Sequence, residues 1–197
     1  MDTLRKDHQI IASLIDKGSK VLDLGCGDGS LLKKLSELKN ASIQGVEIDP
    51  EKIKECSKAG VPVIHADIDE GLSDYPDKSY DFIICSQTLQ AVHKPQKVLD
   101  EILRVGKKGI VIFPNFGHWK IRKMLFFGGI MPRSNELPYN WYDSPNIHHL
   151  TIRDFKKFCG NEGIVIEKEY CFKSLEQEKP RFLANLLCRY GMFVISR

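Results

Sequence analysis

The chain has 197 residues, of which 42% are hydrophobic and 28% charged, with a formal net charge of +3. This composition excludes a disordered polymer and predicts one domain, residues 1–197, that buries its own core, while the mild and dispersed positive charge gives no reason to expect a nucleic-acid partner. No apolar run reaches the length of a membrane span and the first residues lack a signal-peptide core, so we expect a cytoplasmic protein without membrane contact.

Secondary-structure patterns alternate along most of the chain. A helical spacing of apolar residues begins at Leu4 and continues to about residue 16, and short apolar runs then alternate with helical patterns. This alternation predicts an α/β fold with parallel strands, right-handed crossovers and helices on both faces of the sheet. The predicted strands are 19–24, 42–47, 61–65, 80–85, 108–113, 164–172 and 191–196, and the further helices are 29–38, 50–58, 95–104 and 151–162.

A glycine-rich loop follows the first predicted strand. The strand ends in Asp23, and glycines stand at Gly25, Gly27 and Gly29. Strand–loop–helix junctions of this kind hold nucleotide-bearing ligands, because backbone rather than side chain must approach the ligand. Cys26, like several of the other scattered cysteines, is expected to pack as a small apolar side chain. A glycine turn that serves only strand–helix packing is the alternative.

The spacing of this loop indicates which ligand is involved. A dinucleotide fingerprint reads Gly-x-Gly-x-x-Gly, whereas the order here is Asp-x-Gly-x-Gly-x-Gly. That order resembles the first motif of class I S-adenosyl-L-methionine (SAM)-dependent methyltransferases. The resemblance implies a Rossmann-like fold with a mostly parallel seven-stranded sheet and an antiparallel edge hairpin. It also implies that the methionyl part of SAM lies over the loop, with Asp23 anchoring its amino group. The implied cofactor-binding residues here are Asp23, Gly25, Cys26, Gly27 and Gly29.

The second predicted strand ends in Glu47. The vicinal diol of a ribose offers two hydroxyl donors, and one carboxylate accepts both in a charge-assisted pair. The negative charge would repel a ribose 2′-phosphate, and Ile48 would offer an apolar face to adenine. In the alternative interpretation, Glu47 and Asp49 only cap the helix that Pro50 begins. We expect Asp49 to cap it and Glu47 to accept from the ribose.

Polar residues also follow the third and fourth predicted strands. In the methyltransferase pattern, a side-chain oxygen after the third strand accepts from the adenine amino group and the next backbone N–H serves the ring. Asp67 and Ile68 occupy the matching positions, and Asp69 is a weaker candidate. Ser86 and Gln87 follow the fourth strand, at the carboxyl edge of the sheet, and are expected near the methionyl end of SAM or the substrate.

Residues 114–149, between the fifth strand and the late helix, are the least generic part of the chain. They include both tryptophans and four prolines, which predicts a lid or an interaction surface. His118 or Tyr142 could serve as a general base, although methyl transfer often needs only alignment. The histidines at 148–149 lack a carboxylate or thiol at a metal-ligand spacing, so no metal is expected. A membrane-surface helix near 120–127 and simple closure of the core are alternatives.

Several stretches together resemble the MetW family of methionine biosynthesis proteins. The resemblance covers the chain from Leu4 to about Tyr170, and its QTLQ and PNFGHW parts are far more selective than the glycine loop. The chain also has VGKKG before the fifth strand, where many methyltransferases have KPGG. The stretches are DLGCGDG at 23–29, SQTLQAV at 86–92, FPNFGHW at 113–119, LPYNWYD at 137–143 and PNIH at 145–148.

The resemblance implies a bacterial SAM-binding protein, which also takes S-adenosyl-L-homocysteine, and which supports homoserine O-acetylation together with homoserine O-acetyltransferase. In this hypothesis the segment 116–149 engages the acetyltransferase, and a ligand that favours one conformer of that segment also biases its partner. The alternative is an active methyltransferase on an unidentified small molecule. An NAD-dependent dehydrogenase is disfavoured, because the glycine spacing is wrong and the chain is short for two domains.

Overall fold

A central β-sheet organises the chain in the computed structural model, which describes residues 5–134, 137–175, 177–179 and 182–197. The strands are β1 (Lys20–Leu24), β2 (Ser42–Glu47), β3 (Val63–His65), β4 (Tyr80–Ser86), β5 (Gly106–Pro114), β6 (Val165–Ser174), β7 (Gln177–Lys179) and β8 (Tyr190–Ser196). They lie in the order β3–β2–β1–β4–β5–β8–β6–β7. The first five strands in this order are parallel, whereas β8, β6 and β7 pair antiparallel.

The predicted sheet is confirmed, with one addition. Seven strands match the predicted ones, and β8 lies between β5 and β6, so that the chain closes with an antiparallel pair. The three-residue β7 extends this edge, and the sequence pattern did not reveal it. The first helix begins at Lys6 among the described residues, and Leu4 lies outside them.

Helices cover both faces of the sheet, as predicted. Strand β5 shows why: its apolar run points alternately to the two faces, with Ile110 and Ile112 in one core cluster and Val111 and Phe113 in the other. The first cluster includes side chains of the first three helices, and the second includes those of the fourth and sixth. The helices are α1 (Lys6–Leu14), α2 (Ser30–Lys39), α3 (Pro50–Lys58), α4 (Pro95–Val105), α5 (Trp119–Gly128), α6 (Ile152–Asn161) and α7 (Ala184–Leu187).

Two cysteines depart from the expected role of small apolar side chains. Cys171 in β6 and Cys188 before β8 form a disulfide in the core. They meet because β6 and β8 are antiparallel neighbours, which their separation of 17 residues does not reveal. The remaining cysteines are free and buried.

Asn115 joins the end of β5 to two helices. Its Nδ2 donates to the carbonyl oxygens of Cys188 at 2.7 Å and Asn185 at 3.1 Å. Its Oδ1 accepts from the backbone N–H groups of Gly117 at 3.0 Å and Ile152 at 3.2 Å. The side chain is buried, so these bonds have no competition from water. Asn115 therefore holds β5, α6 and α7 in one arrangement.

Replacing this amide tests its role in stability. We expect Asn115→Ala to lower the free energy of unfolding by roughly 2–4 kcal/mol, because buried backbone groups lose their partners. Chemical denaturation measures this value. The exposed Asn161→Ala, at the end of α6, is the control and should change it by less than about 0.5 kcal/mol. Equal effects of the two substitutions would show that Asn115 is not a structural centre.

Candidate functional site

The carboxyl ends of β1, β2 and β4 meet at one edge of the sheet, with β1 in the middle. The register places Asp23 beside Gly45 of β2 and Ile84 of β4. The chain leaves β1 for α2 on one face and β4 for α4 on the other, and open α/β sheets bind ligands at such a change of direction. The cleft, defined here by the loops that follow β1, β2, β3 and β4, is therefore the candidate site.

The glycine loop exposes its backbone to the cleft. Gly25 and Gly27 have φ values of +75° and +58°, which L-residues other than glycine rarely adopt. A Cβ at Gly25 would overlap Oγ1 of Thr88, whereas one at Gly27 would meet no atom within 4 Å. Gly29 precedes α2 and also has a left-handed backbone. The loop thus packs closely at one glycine and is open at the next, as a loop that admits a ligand to its backbone requires.

Glu47 fixes the position of this loop. Its Oε2 accepts from the Gly27 N–H at 2.9 Å, and its Oε1 accepts from the N–H groups of Ile48 at 2.8 Å and Asp49 at 3.0 Å. Asp49 caps α3 by accepting from the Glu51 N–H at 2.8 Å, as predicted. The carboxylate of Glu47 is therefore held rigidly at the end of β2, because three backbone donors define its orientation.

Asp23 is a buried carboxyl group with one oxygen that has no partner among the described residues. Its side chain is almost wholly inaccessible, at 3% exposure, and Oδ1 finds no hydrogen-bond partner among the described residues. Burial, with a smaller contribution from the negative charge of Glu47, raises its pKa to about 7. Buried polar groups are normally satisfied, so an orphaned oxygen beside the glycine loop points to a ligand that donates a hydrogen bond or carries positive charge.

A cavity of about 220 Å³ lies in the cleft next to the glycine loop. Ile48 is apolar but more than half exposed there, as a surface for a flat apolar ligand would be. An adjoining cavity of about 240 Å³ shares part of this wall. Five of the predicted residues line the first cavity, namely Gly25, Glu47, Ile48, Asp67 and Ile68, together with Val46, Ala66, Asp69, Thr88, Ala91, Val92 and His93.

Part of this wall does not follow from the sequence. Thr88 belongs to the SQTLQAV stretch, but its contact with Gly25 depends on how β1 and β4 are placed. Asp69 accepts from the backbone N–H groups of His93 at 2.8 Å and Lys94 at 2.7 Å, so it holds the turn that closes the cavity. The signal for Asp69 was its place after a strand, but that signal does not distinguish a structural acceptor from a ligand contact.

Ser86 and Gln87 lie at the end of β4, half-buried, but they do not line the cavity. Gln87 has a left-handed backbone with φ +57°, and its N–H donates to the Ile112 carbonyl at 2.7 Å. The amide Nε2 of Gln90 donates to the Gln87 carbonyl at 2.6 Å. The β4 loop is therefore a tightly held turn beside the cleft.

Cys26 packs into the core as the sequence predicted. It is buried, its Sγ lies 3.8 Å from that of Cys56, and Cys56 Sγ donates to the Gly27 carbonyl at 3.1 Å. Burial raises the pKa of the Cys26 thiol, which keeps it protonated. Cys26 supports the loop from behind and has none of the features of a reactive nucleophile.

The two candidate bases lie away from the cavity wall. His118 is buried where it precedes α5, and its Nδ1 accepts from the Lys120 N–H at 3.3 Å. Tyr142 is exposed and lies edge-on to Trp141, with the ring centres 5.5 Å apart. In the part of the chain that the structure describes, no cluster of three potential metal ligands occurs. Over the same residues, no helix is long and apolar enough to cross a bilayer.

Comparison with known proteins identifies relatives. The family model described as "Methionine biosynthesis protein MetW" matches residues 5–195. The bifunctional methionine biosynthesis protein MetXA/MetW of Rhodopirellula baltica is 34% identical over 176 residues, which are 85% of this chain and 28% of that protein. The ubiquinone biosynthesis O-methyltransferase of Photorhabdus laumondii is 28% identical over 102 residues, covering 49% of this chain and 42% of the enzyme. The chain thus spans less than half the length of either relative.

A solved structure shows the fold. The crystal structure of a TehB-like SAM-dependent methyltransferase from Corynebacterium glutamicum has a TM-score of 0.66 at 16% identity, and the similarity covers 99% of this chain and 89% of that one. The class I methyltransferase fold that the glycine loop implied is therefore confirmed.

The raised pKa of Asp23 predicts a pH-dependent stability. The native state holds the Asp23 proton more tightly than the unfolded state, so this group lowers the free energy of unfolding as pH rises from about 4 to about 7. Asparagine cannot ionise, so Asp23→Asn should be more stable than the wild type at pH 8, by up to about 4 kcal/mol, and nearly equal to it near pH 4. Thermal unfolding across this range measures the difference.

The exposed Asp16→Asn is the control for loss of a carboxylate and should follow the wild type at every pH. A stability difference for Asp23→Asn that stays constant from pH 4 to pH 8 would contradict the raised pKa.

Proposed function

The chain belongs to the MetW family, and on this basis we propose that it binds SAM in the cleft and supports homoserine O-acetylation as the partner of a homoserine O-acetyltransferase. Its place of action in this proposal is the cytoplasm, where amino-acid precursors are made. The proposal joins two parts, a cofactor site and an enzyme partner, and different observations support each.

The chemistry of the cleft residues supports SAM as the ligand. The orphaned oxygen of Asp23 would accept from the cationic amino group of SAM, which would satisfy the group that burial leaves without a partner. Glu47, already oriented by backbone donors, would accept from the ribose hydroxyls. Ile48, Asp67 and Ile68 would surround the adenine, and all three line the cavity. S-adenosyl-L-homocysteine has the same three recognition groups and would bind in the same way.

The main support for the partner role comes from a relative in which two proteins are fused. In Rhodopirellula baltica, a region 34% identical to this chain is part of one polypeptide named MetXA/MetW. Fusion keeps two proteins at a high effective concentration, which is an advantage when they act on each other. We identify the MetXA part with homoserine O-acetyltransferase, the enzyme that the family resemblance implies. This chain would then act on a separate acetyltransferase molecule, as the MetW part of the fusion would act on the MetXA part of the same polypeptide.

An active methyltransferase is the second candidate, and the similarity to ubiquinone biosynthesis O-methyltransferases favours it. SAM supplies a methyl group on a sulfonium, and the protein would align the acceptor and exclude water. The capping role of His118 and the exposed position of Tyr142 speak against either residue as a base in the cavity. Transfer of labelled methyl to homoserine derivatives or other metabolites would favour this candidate over the first.

Removing the ribose acceptor tests the cofactor site. We expect Glu47→Ala to weaken SAM binding roughly 10- to 100-fold, because a charged hydrogen bond and the anchor of the glycine loop are both lost. Calorimetric titration measures the affinity. Glu51→Ala, which removes an exposed carboxylate from the neighbouring helix α3, is the matched control and should bind SAM like the wild type. Unchanged affinity in Glu47→Ala would remove this residue from the site.

The partner role is tested by the rate of homoserine acetylation. We expect purified homoserine O-acetyltransferase to acetylate homoserine faster in the presence of this chain, and the rate to change again when SAM is added. The SAM effect should disappear with Glu47→Ala while the effect of the protein itself remains. Identical rates with and without this chain would refute the partner role, whatever the affinity for SAM.

A further inference from the structure

A patch of large apolar side chains is exposed at the end of α5. The α5 patch consists of Leu125, Phe126, Phe127, Ile130 and Met131, all of them exposed. Phe126 and Phe127 are 83% and 78% accessible, and their rings contact each other edge to face at 4.9 Å. Soluble proteins rarely expose a cluster of this kind unless another molecule covers it.

Helix α5 is attached to the body of the protein by its first turns. Ile121 is the buried residue of the helix. Arg122 Nε donates to the Gly117 carbonyl at 2.6 Å, and His118 caps the N-terminus. The helix ends at Gly128, and Gly129, with φ of +59°, caps it and turns the chain sharply. The anchored start fixes the direction of the helix, and its apolar end remains outside the core.

The stretch of chain that carries the patch is basic. Between Trp119 and Ser134 the sequence contains Lys120, Arg122, Lys123 and Arg133, and it contains no aspartate or glutamate. Apolar side chains flanked in sequence by basic residues fit a partner surface that has an apolar pocket and acidic residues near it.

We propose that the α5 patch is the surface on which homoserine O-acetyltransferase docks. This inference rests on the proposed function, and it narrows the partner contact from the whole segment 116–149 to the end of α5 and the residues just after it. The fused relative favours this occupant over a second copy of the chain, because a fusion places the two proteins beside each other in every molecule. Adjacent phenylalanines are suited to act as anchors, since aromatic side chains carry much of the energy of protein interfaces.

The patch and the SAM site are separate surfaces. None of the residues that line the cavity in the cleft belongs to α5 or to the patch. A substitution in the patch therefore leaves SAM binding intact if the patch is a docking surface, and it weakens SAM binding if the patch is instead a lid that closes over the cofactor.

The experiment compares two double variants. Phe126→Ser/Phe127→Ser removes the centre of the patch, and Leu38→Ser/Val165→Ser removes two apolar side chains that are each 56% exposed elsewhere, in α2 and β6. Biolayer interferometry measures binding to purified homoserine O-acetyltransferase, and calorimetry measures SAM affinity. We expect the patch variant to bind the enzyme at least about 30-fold more weakly, the control to stay within about threefold, and SAM affinity to be unchanged in both.

The other outcomes overturn the proposal in distinguishable ways. Equal enzyme binding by wild type and patch variant refutes the docking surface and leaves the proposed function standing. A wild-type chain that does not bind the enzyme refutes both. Weaker SAM binding by the patch variant assigns the patch to a lid. If the wild type is a dimer and the patch variant a monomer, the patch is a contact with a second copy of the chain. If the wild type binds vesicles of phosphatidylglycerol and the patch variant does not, the patch is a membrane-binding surface.

Discussion

The carboxyl group of Asp23 lies at the end of β1, where burial and the nearby charge of Glu47 both oppose its ionisation. A protein that keeps such a group without a partner loses stability at neutral pH, and the loss is recovered when a cation binds beside it. In the protein without a ligand, the pKa of Asp23 is about 7. A cationic ligand that pairs with this group near neutral pH must therefore also displace its proton. Binding of such a ligand would therefore release a proton.

Glu47 has a structural role that is compatible with the proposed role in recognition. Its bonds to Gly27, Ile48 and Asp49 determine the course of two loops of the cleft, and they also orient the carboxylate itself. A group that is already oriented loses little conformational entropy when a ligand binds. A structural role for Glu47 was the alternative to ribose binding in the sequence. The two roles are compatible, because backbone donors hold the carboxylate in place without neutralising its charge.

Much of the fold, and the position of the cleft, followed from local patterns in the sequence. Strand β5 is predictable from the sequence because its run of buried apolar residues has no break. The glycine loop is predictable because positive φ restricts the choice of residue. The contact of Thr88 with Gly25 and the disulfide between Cys171 and Cys188 were not predictable, since each depends on which strands become neighbours. Asn115 stood in a recognised motif, yet its four hydrogen bonds depend on β5, α6 and α7 meeting at one point.

A physical connection leads from the cleft to the segment that carries the α5 patch. Thr88 packs on the glycine loop, and Gln90, two residues further, accepts from the N–H groups of Ile147 and His148 at 2.9 and 3.0 Å. The Oε1 of Gln90 and the Nε2 of His148 are both buried and have no partner among the described residues. Buried polar atoms without partners are costly, so an arrangement that satisfied them would be favoured over one that does not. A ligand in the cleft can act on a distant partner only by binding two such arrangements with different affinity. In the proposed partner role, such a change of arrangement would take place at Gln90. This residue joins the β4 loop directly to the end of the segment from which α5 projects.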